Sequence, residues 1–506
     1  MQDLRELTYL LGKNTIKAGH ILPEMPDSKL VGLYEGIVNN QFYTDEEAAA
    51  ELYNDDKENR SYQKLRNDLK KRLVNALFLM DFKQLSSTQR QVAYYECHKD
   101  WAAAMVLMGK KAKVAGIALC RKIIRQAKKY EFTELVLHVA GTLRLHYGTL
   151  EGDYAKFELY NKMFKEYTDI WQEENRAEEL YTELIIKYIN NKATKTEIHA
   201  IASDYYTRLQ EPMQRYDSYR LHLCGNLIRL MIYSSVNDYK NTVQVCDEAI
   251  VFFETKEYLA NVPLQVFFYQ KIVCYTQLRQ YQQGKSAAEK CLAFIEAGTF
   301  NWFKLQELYL LLALHTGQYQ QAYNTLRKVV LQKQFATLPP NILEMWKIYE
   351  AYVYYLCRIE KISPARNDKR YARFRPGKFG NETPIFSKDK RGMNIPILII
   401  QILFMIEEQK FNKVIDKIEA IEKYCSRYLR QDDTFRSNCF IKMLLQIPAA
   451  NFHRAAVLRK SEDLLKKLKS VPIEMANQTH EIEIIPYEDL WNFAINTLGN
   501  TIRQGA

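Results

Sequence analysis

Three groups of residues in this sequence have types and spacings that could do chemistry, and all three are basic. In the first, Gln63, Lys64, Asn67, Lys70 and Lys71 recur at the spacing of one helix face. Asn and Gln amides can pair with an adenine edge while lysines hold phosphates, so this face suits duplex nucleic acid. In the second, Arg121, Arg125 and Lys128, with Lys122 and Lys129 beside them, flank an apolar line of Ile117, Cys120, Ile124 and Ala127. Like charges at i, i+4 repel by a few tenths of a kcal/mol, so a one-signed stripe costs local stability and suits an acidic partner. In the third, Arg370, Arg373, Arg375 and Lys378 interleave with Tyr371, Phe374, Phe379 and Phe386. That arrangement sets stacking surfaces beside phosphate contacts, a combination fit for single-stranded nucleic acid. Each group also has a plain structural alternative: a solvated helix face, a stripe neutralised by acids such as Glu131 and Glu134, and aromatics that tuck inward to anchor a loop.

Catalytic patterns do not survive the same inspection. Gly284-Lys285-Ser286 has the look of the end of a phosphate-binding loop, but Arg279 stands where its first glycine belongs. The nine His include no HExxH pair, and His138 and His146, two helical turns apart, have no acidic partner on their face. The acid pairs Asp55-Asp56 and Asp432-Asp433 fall in polar stretches. No catalytic residue, cofactor or metal is therefore expected, and the chain reads as non-enzymatic. Its nine Cys form no CxxC and sit mostly among apolar neighbours, which points to reduced, buried thiols in a cytosolic setting.

The charge that makes these groups interesting is segregated. The 506-residue chain carries 71 Lys and Arg against 60 Asp and Glu, a net +11. Residues 60–72 hold six bases against one acid, residues 109–130 eight against none, and residues 361–391 ten against three. Those segments total +20, so the remainder is acidic, and the local potential attracts phosphate or acidic protein faces. The first fourteen residues lack the pattern of a secretory signal. The longest apolar stretch, Ile395 to Ile406, is interrupted by Gln401 and is too short to span a bilayer. No membrane association is expected.

The elements that must carry these groups are helices. Hydrophobic residues at 47% with only 18 Gly and 13 Pro encode a packed chain with few turns. Apolar residues recur at i, i+3, i+4 and i+7, as in Leu305, Leu308, Leu312 and His315. The best strand candidate is the short alternation Glu481 to Pro486. A second period of about 40 residues appears in turns built as a polar pair, an aromatic, two spacers and a small or apolar residue. Gly152 leads through Tyr154 to Phe157, Asn237 through Tyr239 to Thr242, Arg279 through Tyr281 to Gly284, Gly317 through Tyr319 to Ala322, and Gln409 through Phe411 to Val414. Two degenerate copies are expected, near Asn190 to Thr196 and after Lys361.

The run LQELYLLLALHTGQYQQAYNTLRKVV, with Gly317, Tyr319 and Ala322, resembles the tetratricopeptide repeat, and the likeness extends over about residues 100–450. It departs from that family in its longer period and in Phe157 and Thr242 at the small-residue position. The resemblance implies an irregular all-α solenoid of paired antiparallel helices with a concave face for a partner protein. Its register places Thr142, His146, Tyr269, Thr276, Lys304 and Glu307 on that groove.

Ahead of the array, residues 28–38 and 45–53 read as helices, with Thr44 and Glu47 as a capping box, and residues 61–80 as a long amphipathic helix burying Tyr62, Leu65, Leu69, Leu73, Ala76 and Met80. This succession resembles the helix-turn-helix core of winged-helix bacterial transcriptional activators that carry a tetratricopeptide-like second half. No wing follows it, since Ser87 or Thr88 caps a further helix. The organisation is then an amino-terminal helical domain over 1–85, an array over 86–360, a basic aromatic loop over 361–394 and carboxy-terminal repeats with a cap over 395–506. The functional expectation is a scaffold or adaptor for a partner protein, with nucleic-acid regulation through the basic segments as the rival reading.

Overall fold

The computed structural model describes residues 1–13, 28–82, 88–189, 194–382, 394–418, 435–475 and 483–500. Among these residues the chain is all-α, and no strand forms. Residues 483–486 of the expected strand are irregular. Asn190, Phe386, Cys425, Asp432, Asp433, Glu481, His20, His480 and Ser87 lie outside the described residues. The chain divides into two units, Met1–Gln172 with Lys256–Leu259, and Glu173–Thr255 with Ala260 onward.

The first unit opens with α1 (Gln2–Lys13), α2 (Lys29–Val38), α3 (Asp45–Tyr53) and α4 (Arg60–Ala76). Their starts follow from local polar chemistry. Ser28 accepts the Val31 amide, Thr44 and Glu47 form the capping box, and Asn59 accepts the Ser61 and Tyr62 amides. Leu4, Leu11, Leu33, Ile37, Tyr62, Leu69 and Leu73 meet in one core; α4 buries Tyr62, Leu69, Leu73 and Ala76 with Leu65 half-buried, and it ends at Ala76, short of the expected Met80, which is buried beyond it. The unit continues with α5 (Gln89–Gly109), capped by Thr88, then α6 (Lys113–Lys129), α7 (Thr133–His146) and α8 (Tyr154–Ile189).

The second unit takes the later half of α8, followed by α9 (Lys195–Arg215), α10 (Tyr219–Ser234), α11 (Tyr239–Glu254), α12 (Asn261–Gln277), α13 (Tyr281–Leu292), α14 (Phe300–His315) and α15 (Tyr319–Val330). It ends with α16 (Pro340–Arg358), the short α17 (Lys369–Arg373) and α18 (Pro376–Glu382), α19 (Asn394–Glu407), α20 (411–418), α21 (Phe435–Ala449), α22 (Arg454–Ser470) and α23 (Tyr487–Asn500). In each unit successive helices pack on one another, α5 on α6 and α6 on α7 in the first, α11 on α12 and α12 on α13 in the second. The segment 361–394, expected as a loop, is partly helical in α17 and α18.

The turns between paired helices share one conformation. All five expected turn starts have positive φ: Gly152 63°, Asn237 61°, Arg279 54°, Gly317 73° and Gln409 57°. Lys111, Glu131 and Glu360 adopt it too. The amide that follows closes on the carbonyl five residues back, as from Gln318 to Ala313 at 2.8 Å and from Lys410 to Met405 at 2.9 Å, except after Gly152, where Asp153 reaches six back to Tyr147 at 3.0 Å. This closure satisfies carbonyls that the end of a helix leaves without partners. Tyr154, Tyr239, Tyr281, Tyr319 and Phe411 each begin the next helix. One turn further on, Thr242, Gly284, Ala322 and Val414 are buried, while Phe157 is half-buried. A Cβ on Gly284 would come within 2.6 Å of Leu312, so this glycine serves close helix packing rather than phosphate binding.

Candidate functional site

The third basic group is the one that the fold brings together. Tyr323, buried in α15, donates its hydroxyl to Asp368 at 2.7 Å and accepts the Ala365 amide at 2.9 Å. Gln320 on the same helix accepts the Ser363 amide at 3.1 Å. These bonds pin residues 363–368 to α15 and set where α17 begins. Asp368 then caps α17 by accepting the Arg370 and Tyr371 amides, both at 3.0 Å. Burial opposes ionisation of Asp368, but the Tyr371 amide, the Tyr323 hydroxyl, the Arg370 amide and the Arg327 charge outweigh it and hold its carboxyl below the usual range. The Tyr323 hydroxyl, desolvated and bonded to that carboxylate, is pushed up to about 12.

Anchored in this way, α17 stands against α16 and, with α18, borders an open cavity of about 430 Å³. Lys347 and Glu350 of α16 and Lys369, Arg370 and Arg373 of α17 line one part of it. Phe374, Arg375, Lys378 and Phe379 line the rest. Six cations therefore face one space against a single carboxylate. Glu350, only 7% exposed, is engaged by Arg370 through both Nε and Nη2, the latter at 3.0 Å from Oε2. The fork keeps Arg370 protonated more firmly than an isolated guanidinium and fixes its plane. Arg375 is fixed too, its Nη1 donating to the Ala372 and Phe374 carbonyls at 2.9 Å.

The aromatics of this group turn inward. Phe379 belongs to the core of the unit, and Phe374 packs between Tyr354 at 5.1 Å and Phe404 at 5.7 Å. Tyr371 lies 5.2 Å from Tyr354. Of these rings Phe374 and Phe379 line the cavity as an apolar wall, and they do not stand out as a ladder on which bases stack. Lys347, Glu350 and Lys369 were not singled out from the sequence. Their signal was faint: two charges three residues apart in the otherwise apolar run Trp346-Lys347-Ile348-Tyr349-Glu350.

The other groups are less concentrated. On α4, Lys64, Asn67 and Lys71 are exposed, whereas Gln63 donates to the Lys57 carbonyl at 2.6 Å and Lys70 to Asp3 at 2.7 Å. On α6, Arg121 donates to the Tyr147 hydroxyl at 2.6 Å, Lys122 pairs with Asp100 at 2.8 Å, and Arg125 and Lys128 are exposed. The six groove positions fall in two units, Thr142 and His146 in the first and Tyr269, Thr276, Lys304 and Glu307 in the second. His146 is buried with Nε2 2.8 Å from Glu151, and Thr276 is buried with its hydroxyl bonded to the Ile272 carbonyl of its own helix. Tyr269 donates to the Asn301 carbonyl at 2.6 Å, and Thr142 is half-buried. Lys304 and Glu307 do come together, at 2.6 Å, and buried Tyr349 donates to the same carboxylate at 2.8 Å. Glu307 is thus engaged from both sides within the protein.

Eight Cys are free thiols among the described residues, seven of them buried, and burial pushes those of Cys97 and Cys120 up to about 11. No described helix is long and apolar enough to cross a membrane. No family model, curated protein or solved structure matches the chain.

Proposed function

We propose that this protein is a non-enzymatic scaffold of the tetratricopeptide-like kind, which holds an anionic partner protein at the cavity between α16, α17 and α18. The observation that carries this reading is the convergence of six cations and two phenylalanines on one space of about 430 Å³. A solubilising surface spreads its charge, whereas a concave cluster focuses potential on one group. The inward packing of Phe374 and Phe379 favours a discrete anionic group over a stacked single strand, whose bases need exposed rings. The amino-terminal helices are read as a cap, because Gln63 and Lys70 of the α4 face are already bonded within the protein.

The test is a photo-crosslinker placed at Lys347, at the cavity rim, in cells that make the protein natively. A nuclease-resistant adduct to one protein species is expected, and it should disappear when Arg373 and Lys378 are replaced by Glu. Adducts to nucleic acid alone would overturn the reading in favour of a nucleic-acid regulator. An adduct indifferent to the charge reversals would show that the cavity is not the contact.

A further inference from the structure

The cavity holds more positive charge, with more fixed donors, than an acidic side chain can match. Glu350 is consumed by its fork with Arg370, and it is the one carboxylate lining a space that Lys347, Lys369, Arg373 and Arg375 also line. Two guanidiniums are held in place while keeping donors to spare. Arg370 bonds through Nε and Nη2, leaving Nη1; Arg375 bonds through Nη1, leaving Nε and Nη2. Arg373 is exposed at the rim and forms no hydrogen bond among the described residues. Arginines locked by their own protein lose little entropy on binding, and their planar forks fit tetrahedral oxyanions. A carboxylate brings one charge and two oxygens. A phosphomonoester brings a charge of about −1.5 to −2 and three acceptor oxygens.

We propose that the cavity of α16, α17 and α18 is a phosphomonoester site, in which Arg370, Arg373 and Arg375 take the phosphoryl oxygens and Phe374 and Phe379 form the apolar wall for the group that bears it. The proposal deepens the scaffold reading and rests on it for the location of the contact. The volume is far larger than a bare ion needs and falls within the range of about 300–1,000 Å³ usual for organic ligands. The ester's carbon skeleton therefore enters with the phosphate. Two sources share this chemistry, a phosphorylated side chain of the partner protein and a small phosphorylated metabolite.

Calorimetry on the full-length chain at low salt separates the outcomes. Phenyl phosphate should bind with one site per chain, at least tenfold more tightly than benzoate, which has the same ring and a single charge, and more tightly than inorganic phosphate. Arg373→Ala and Lys347→Ala, both at exposed positions, should each weaken phenyl phosphate by about tenfold while leaving the thermal melt in place. Equal affinity for phenyl phosphate and benzoate, or affinity unchanged in Arg373→Ala, would overturn the phosphomonoester site. A phosphothreonine peptide and adenosine monophosphate then assign the source, since the tighter of the two names it. If the Lys347 crosslink to a protein persists but phenyl phosphate does not bind, this inference fails and the scaffold reading stands; if phenyl phosphate binds and no protein is captured, the scaffold reading fails alone.

Discussion

Arg436 uses all five of its N–H donors although its side chain is 1% exposed. Nε and Nη2 grip Glu483 at 3.0 and 2.7 Å, Nη2 also reaches Glu488 at 2.7 Å, and Nη1 donates to the Leu468 and Val471 carbonyls. Removing one partner of such a buried pair leaves an uncompensated charge, so Arg436→Met is expected to cost about 3–5 kcal/mol, read as a fall in the urea midpoint. The double change Arg436→Met with Glu483→Met should recover much of that loss, and a double variant as weak as the single one would contradict the argument. Nothing in the sequence marked this arginine, because Glu483 lies 47 residues away. Tyr319 was legible, since its place after Gly317 fixed it at a helix start. Its ring meets Phe493 edge-on at 5.8 Å, and Tyr319→Ala should cost about 2–4 kcal/mol. Asp3 offers a third check at this scale. Burial opposes its ionisation, but the Lys70 hydrogen bond and the Arg66 charge bring its pKa to about 2. A carboxyl depressed in the folded state contributes stability above its unfolded value of about 3.9, and that contribution is lost as pH falls through about 2. Asp3→Asn should therefore be less stable than the parent above pH 5, with the two acid-unfolding curves converging towards about pH 2; parallel curves would show that the pairing adds nothing.

At the scale of the elements, the turn is the informative unit. The pattern of polar pair, aromatic and small residue marks where a helix ends in a left-handed residue, and all five turns read that way have the conformation. Lys111, Glu131 and Glu360 adopt it without a glycine or the full pattern around them, because tertiary packing of the flanking helices holds the chain there. A β-carbon in this region costs about 1–2 kcal/mol. A Cβ at Gly317 would meet nothing within 4 Å, so Gly317→Ala isolates that backbone cost, and a loss of about 1 kcal/mol is expected in thermal unfolding. Gln409→Gly should gain a similar amount. Arg279→Gly should gain less, because Arg279 also donates to the His315 carbonyl at 3.0 Å and to Asp489 at 3.1 Å. A neutral Gly317→Ala would mean that the turn is not held left-handed in solution. The basic segment shows the opposite limit of legibility. Its composition announced anions and aromatics, but only Asp368, Tyr323 and Glu350, from three places in the chain, determine that the arginines line a cavity and the rings face the core.

Over the whole molecule, apolar burial is unevenly distributed. Trp302 through Leu498 contribute one large core in the second unit, in which α14, α16 and α19 are buried nearly all round. In the first unit, by contrast, α5 buries only Ala93, Cys97 and Ala104, and the amino-terminal helices rest on a small core of their own. Arrays in which helices bury their faces against sequence neighbours need not open as one cooperative body, and regions with fewer apolar contacts open first. The five Trp report on this division, since Trp302, Trp346 and Trp491 are fully buried in the second unit while Trp171 is 36% exposed and Trp101 half-buried in the first. Tryptophan fluorescence thus follows mainly the large core, whereas far-ultraviolet circular dichroism counts every helix. In a urea titration the circular dichroism signal is expected to begin falling at lower denaturant than the fluorescence shift. Hydrogen exchange should show α5 and the amino-terminal helices opening before α14 and α16. Superimposable transitions from both probes would establish a single cooperative unit and set aside the ranking by buried apolar surface.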